Sequence, residues 1–162
     1  MIVWMRSAVL VLGIVLVLSG VVCGSSPQYI SLERGMCFGT CPVYTVTLFE
    51  NGSVFYHGEK FVKETGNLTD TLTGSGFADI LQACNETGFF HMNDEYVNLD
   101  MTDMPSAIIT VQNGSGIKRV EHYHGDIHAP AKLTTLEDLI DQVVQITRWT
   151  GTGSDTTQEE QI

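Results

Sequence analysis

The sequence predicts an α+β domain: an antiparallel sheet of about five to six strands with two helices packed on one face. Three observations carry that expectation. Apolar and polar residues alternate through Tyr44, Val46 and Leu48, through Val54 and Tyr56, and through Ala107, Ile109 and Val111, which is the period of half-buried strands. Two other segments repeat at helical spacing, Phe77-Ile80-Leu81-Cys84 and Leu133-Leu136-Ile140-Val143, each giving one buried stripe. The resulting order is strands, helix, loop, hairpin, helix, which suits a sheet covered on one side.

In chain order, Tyr29–Glu33 reads as the first strand. The next strand carries Tyr44, Val46 and Leu48 and turns at Glu50-Asn51-Gly52. The register of that hairpin selects the turn. A two-residue loop would set Leu48 beside Phe55. A three-residue loop with Gly52 left-handed sets Leu48 beside Val54 and Val46 beside Tyr56, keeping the apolar set on one face, and is preferred. Lys60–Glu64 reads as a third strand with mixed charge suited to an edge. Thr73-Gly74-Ser75 leads into the first helix, which stops at Gly88. Cys84 reads there as a small buried hydrophobe, and Phe89-Phe90 return the chain to the core. Asp94–Pro105 lacks periodicity and reads as an irregular loop suited to function. Ala107–Val111 enters a second hairpin across Asn113–Gly116, Ile117–Tyr123 returns, and the last helix runs from about Thr134 to Trp149, with Glu137 and Asp141 on its flank.

The turn before the second strand is Cys37-Phe38-Gly39-Thr40-Cys41-Pro42. Fully extended, its two cysteines would stand about 13 Å apart, too far for a disulfide, so a bond between them requires a bend. Gly39 permits one, and Pro42 turns Cys41 back to extended backbone. A Cys37–Cys41 disulfide is the expectation. Reduced thiols are one alternative; zinc is another, weakened because no second matching pair follows.

The length fits one domain. Ser7–Val22 is apolar and follows a head with one positive charge, Arg6, so residues 1–24 read as a signal peptide or a retained membrane anchor. Leu18–Cys23 resembles a lipoprotein signal with Cys23 as the lipidated residue, although Val22 stands where a small residue is usual. Residues 25–28 read as a linker, 29–149 as the domain and 150–162 as a disordered acidic tail. The net charge of −11 argues against nucleic acid, which selects basic patches, and leaves membrane contact to the N-terminal segment. Asn51, Asn67, Asn85 and Asn113 begin glycosylation acceptor patterns at expected turns or a helix end, relevant where the host glycosylates exported proteins.

Chemistry is sparse. Glu121-His122-Tyr123-His124-Gly125-Asp126-Ile127-His128 places His122 and His124 two apart, so a strand projects them from one face. With Asp126 and His128 in the following turn, they form a candidate transition-metal site; the plain alternative is a polar strand end facing water. A redox role for the cysteines would favour two intervening residues and a helix after the pair, whereas three intervene and a strand follows. There is no nucleophile elbow, phosphate loop or dinucleotide fingerprint.

Cys37-Phe38-Gly39-Thr40-Cys41-Pro42 with Tyr44, followed by Gly52, Val54, Tyr56 and Gly58, resembles a small exported domain, the domain of unknown function 6438. Thr102-Asp103, Pro105, Pro130, Leu133, Leu136-Glu137, Ile140-Asp141 and Trp149 extend the resemblance across most of Glu33–Trp149. It implies a periplasmic or cell-surface setting, often with a signal or lipoprotein leader, and no activity. The chain departs from the pattern around His122–His128, so a function built on those histidines would be its own. Arg34, Asp103, Glu137 and Asp141 are the charged residues at family-like positions. Arg34 is expected to pair with one of the three carboxylates, fixing the turn to the last helix, against the alternative of a solvated helix face. With Tyr44 and Tyr96 these four are the candidate ligand-binding residues.

The function expected is therefore an exported or membrane-tethered cell-envelope domain acting as a non-catalytic binding or structural module. Its partner would be an envelope protein, a glycan or a small ligand, with no cofactor required. A metal-binding envelope protein using His122–His128 is the alternative, and a thiol redox enzyme comes third.

Overall fold

The computed structural model describes residues 27–99 and 101–151. The expected leader, Cys23, the first half of the linker and nearly all of the tail lie outside those residues. Seven strands form one sheet: β1 (Tyr29–Arg34), β2 (Val43–Phe49), β3 (Ser53–Lys60), β4 (Gly66–Thr71), β5 (Glu95–Tyr96), β6 (Ser106–Asn113) and β7 (Gly116–Tyr123). Their order is β4-β3-β2-β1-β6-β7-β5. The helices are α1 (Gly76–Thr87), α2 (Ala131–Val144) and the short α3 (Thr147–Thr150), with a 3-10 turn at Phe89–His91. Among the described residues no helix is long and apolar enough to cross a membrane.

The sheet exceeds the expected five to six strands and is mixed, because β5 runs parallel to β7. The strand expected at Lys60–Glu64 is instead the end of β3 and a bend in which Phe61 is left-handed, at φ 54°. That conformation is rare for a bulky side chain and ends the ladder. The edge strand follows at Gly66–Thr71. The hairpin register is the one the apolar pattern selects, with Leu48 opposite Val54 and Val46 opposite Tyr56, and Gly52 takes φ 84°.

Registers across the sheet line its covered face in rows. One row runs Val54, Leu48, Ile30, Val111 and the next Tyr56, Val46, Leu32, Ile109, Val120. Every one of these side chains is buried. They share one core with Ile80 and Cys84 of α1 and with Leu133, Leu136, Ile140 and Val144 of α2, so both helices cover this face. The third row is different: Gly58, Tyr44, Arg34, Ala107, His122 and Tyr96. It lies at the end of the sheet where the chain leaves β1 and β7, and it is polar at its centre.

The last helix is not continuous to Trp149. Gln145 adopts φ 54°, ends α2 and lets Ile146 and Trp149 turn back into the core. Thr150, assigned above to the tail, is buried. Gln28, assigned to the linker, is fastened to the β2–β3 turn, its carbonyl accepting from the Glu50 N–H at 3.1 Å.

Candidate functional site

The third row meets α2. Glu137 and Asp141 are four residues apart on that helix, so both point at the same strip of sheet. The Glu137 side chain is 0 % exposed. Its Oε1 accepts from His122 Nδ1 at 2.6 Å, and its Oε2 accepts from His124 Nε2 at 2.9 Å and Arg34 Nη1 at 2.7 Å. Arg34 also donates to Asp141 Oδ2 through Nη2 at 2.8 Å and Nε at 3.3 Å. The other Asp141 oxygen accepts from the Tyr44 hydroxyl at 2.7 Å. The two imidazoles stack, with centroids 4.4 Å apart. Asp138 stands 3.5 Å from the same guanidinium on the exposed side.

Burial alone would raise Glu137, but donation by His122 and His124 and the Arg34 charge more than offset it and hold the carboxyl at about 2. Burial raises Asp141 against the pull of Arg34 and Tyr44. It raises Tyr44 too, reinforced by Asp141, so the phenol stays protonated. Burial works against the Arg34 charge, and Asp141 more than restores it. The result is a closed network linking β1, β2, β7 and α2.

Above the network the chain turns at a Cys37–Cys41 disulfide, with Cα atoms 5.7 Å apart. Pro42 and extended β2 follow, so the chain leaves the pair as a strand and not as the helix that usually follows a redox pair. The remaining described cysteine, Cys84, is buried and pushed up to about 12 by that burial. A cleft of about 270 Å³ opens between the turn and Pro105, floored by Arg34 and Tyr44.

Three loops surround this end and are tied together. Phe38 N–H donates to the Asp103 carbonyl at 3.1 Å, His124 N–H to the Pro105 carbonyl at 3.0 Å, and Asn98 N–H to Asp126 Oδ2 at 3.1 Å. The Tyr123 hydroxyl accepts from Met104 N–H at 3.1 Å. Yet Met36, Phe38, Leu99, Met101 and Ile127 face outward, Phe38 being 87 % exposed.

The candidates named from sequence thus separate. Arg34, Tyr44, Glu137 and Asp141 come together, and Glu137 is buried rather than on an open flank. Asp103 is exposed and holds Phe38 through its backbone. Tyr96 sits half-buried in β5, its hydroxyl accepting from Asn93 N–H at 3.3 Å. His122 and His124 turn inward to Glu137, while Asp126 is engaged elsewhere, by the backbone N–H groups of Asn98 and His128. The four-residue metal set is therefore split. Asn51, Asn67 and Asn85 are exposed, but Asn113 is half-buried, and Asn67 lies within β4 rather than at a turn. The outward apolar side chains of the loops have no periodic signal in the sequence; Phe38, held between two cysteines, carries the clearest one.

The fold and site together define a small α+β domain braced by one disulfide, its central ion-pair network lying beneath a loop-built surface. The chain matches the family described as Domain of unknown function (DUF6438) over residues 28–144 and belongs to it. No curated protein matches the chain.

Proposed function

We propose that this chain is an exported or membrane-tethered domain of the cell envelope, serving as a non-catalytic binding module. It docks its partner with the loop end of the sheet. One observation carries this reading: three loops are locked to one another by backbone hydrogen bonds while their apolar side chains face outward, at the end of the sheet where a cleft opens between the disulfide turn and Pro105. Apolar side chains on a rigid frame lose little conformational freedom on docking and make effective anchors. The network below supports the frame, because Arg34 and Tyr44 are both its members and the floor of the cleft. The apolar N-terminal run and the disulfide favour an oxidising compartment. The partner is an envelope protein, a glycan or a small ligand.

The test is site-specific photo-crosslinking in the producing organism. A photoreactive phenylalanine analogue at Phe38 should give one discrete adduct. The same analogue at Ile117, exposed on the distant β6–β7 hairpin, should not. A shared adduct, or none at Phe38, would overturn the proposal.

A further inference from the structure

We infer that His122, His124 and Glu137 form a site for one late first-row transition-metal ion, copper(II) or zinc(II). Their ligand atoms, one from each residue, all lie within 4.8 Å of one another. Two imidazole nitrogens and one carboxylate oxygen are a donor set suited to these ions. All three side chains are positioned by the fold: His122 by its register in β7, His124 by the N–H bond to Pro105, and Glu137 by the middle of α2.

A tetrahedral ion with bonds of about 2.0 Å holds its ligands about 3.3 Å apart. The hydrogen-bonded pairs now stand at 2.6 Å on Oε1 and 2.9 Å on Oε2 of Glu137, so loading parts each pair by about half an ångström if both oxygens bind, and otherwise turns one oxygen towards both imidazoles. The ion takes the place of the N–H donors. A neutral imidazole keeps its single proton, carried on the far nitrogen; a protonated one releases a proton to solvent. Arg34 need not leave, since it reaches Oε2 of Glu137 while gripping Asp141 twice. A second partner on a ligating carboxylate orients the ligand. Local charge favours an incoming cation: Glu137, Asp141 and Asp138 face one guanidinium. His124, 22 % exposed, is the point of entry, and the fourth coordination position would be open to water from that side.

Titration calorimetry of the full-length chain with copper(II) and zinc(II) tests this. One ion should bind per chain. His124→Ala, which removes the most exposed ligand and spares Glu137, should weaken binding by about 100-fold or more, because losing even an outer partner costs about 10–100-fold. The triple variant His57→Ala/His91→Ala/His128→Ala should bind like the wild type. Nitrogen hyperfine structure from two imidazoles in the copper(II) spectrum should fall to one in His124→Ala. The assignment is overturned if no stoichiometric ion binds, if His124→Ala binds equally well, or if the triple variant loses the ion.

Discussion

A carboxylate with no solvent exposure would ordinarily be protonated, yet Glu137 is held at about 2 by His122, His124 and Arg34. Its folded pKa lies below the unfolded value of 4.5, so the unfolded chain takes up the proton first as pH falls. The stability Glu137 contributes is fully present above about pH 4.5 and is lost as pH drops towards 2. The difference is on the order of 3 kcal/mol. Asp141, raised by burial, runs the opposite way and softens the slope. Glu137→Gln should therefore be on the order of 3 kcal/mol less stable at pH 7, Arg34 keeping its pair with Asp141. The gap to wild type should narrow between pH 4.5 and 2. Urea unfolding at stepped pH measures both, and a gap that is constant with pH would show that Glu137 is not the group holding the network. The pairing of Arg34 with a carboxylate of the last helix was legible in the sequence and is present; the burial of Glu137 and its two histidine partners were not. Glu137 follows Leu136 on an amphipathic helix, where an acidic residue ordinarily marks the solvated edge. Its partners lie more than a dozen residues away or on β1, and only the sheet register brings them beneath it.

Elements with an internal period were readable from the chain; elements defined by their neighbours were not. The β2–β3 hairpin follows from alternation and Gly52, and both helices follow from their stripes. β4 reads Gly66-Asn67-Leu68-Thr69-Asp70-Thr71 and has no buried residue, so it shows no apolar alternation and exists because β3 offers it a ladder. β5 is two residues long, too short for any period. The break at Gln145 lacked a signal, since glycine or asparagine is the usual residue there. The disulfide turn was readable, because a cysteine pair around Phe38-Gly39-Thr40 and before Pro42 constrains the backbone directly. Closing so short a loop should stabilise the domain by about 2 kcal/mol through the unfolded chain. Cys37→Ser/Cys41→Ser should lower stability by about that amount without unfolding the sheet. Amide exchange should quicken at Phe38, whose N–H bonds Asp103, and stay slow through β1 and β2. Equal protection at Phe38 in wild type and variant would mean the hydrogen bonds, not the sulfurs, hold the turn.

Across the whole molecule, β1 lies in the middle of the sheet, and strands added later in the chain flank it on both sides. Closure comes last, from a segment beyond the family match at residues 28–144. After the break at Gln145, α3 lays Trp149 on Tyr56 with centroids 4.9 Å apart and stacked. The Trp149 and Thr150 carbonyls accept from Glu64 N–H at 2.8 Å and Lys63 N–H at 3.1 Å. Arg148 forms an ion pair with Asp70 of β4. The bend at 61–65 thus leans on the C-terminal turn, and the Tyr56 hydroxyl donates to the Glu64 carbonyl at 3.1 Å from the same bend. Gly58 completes the fit, since a Cβ there would meet the Glu64 carbonyl. A chain ending at residue 144 should therefore be less stable than one ending at 151 by about the 3–5 kcal/mol typical of deleting a buried tryptophan. Trp149→Ala in the longer chain should reproduce most of that loss, because the stacked ring carries more of the contact than the two carbonyls. Thermal and urea unfolding of the three proteins decides it. Were the shorter chain equally stable, α3 would be an ornament on a domain already closed at Val144, and the bend at 61–65 would have to be held by β3 and β4 alone.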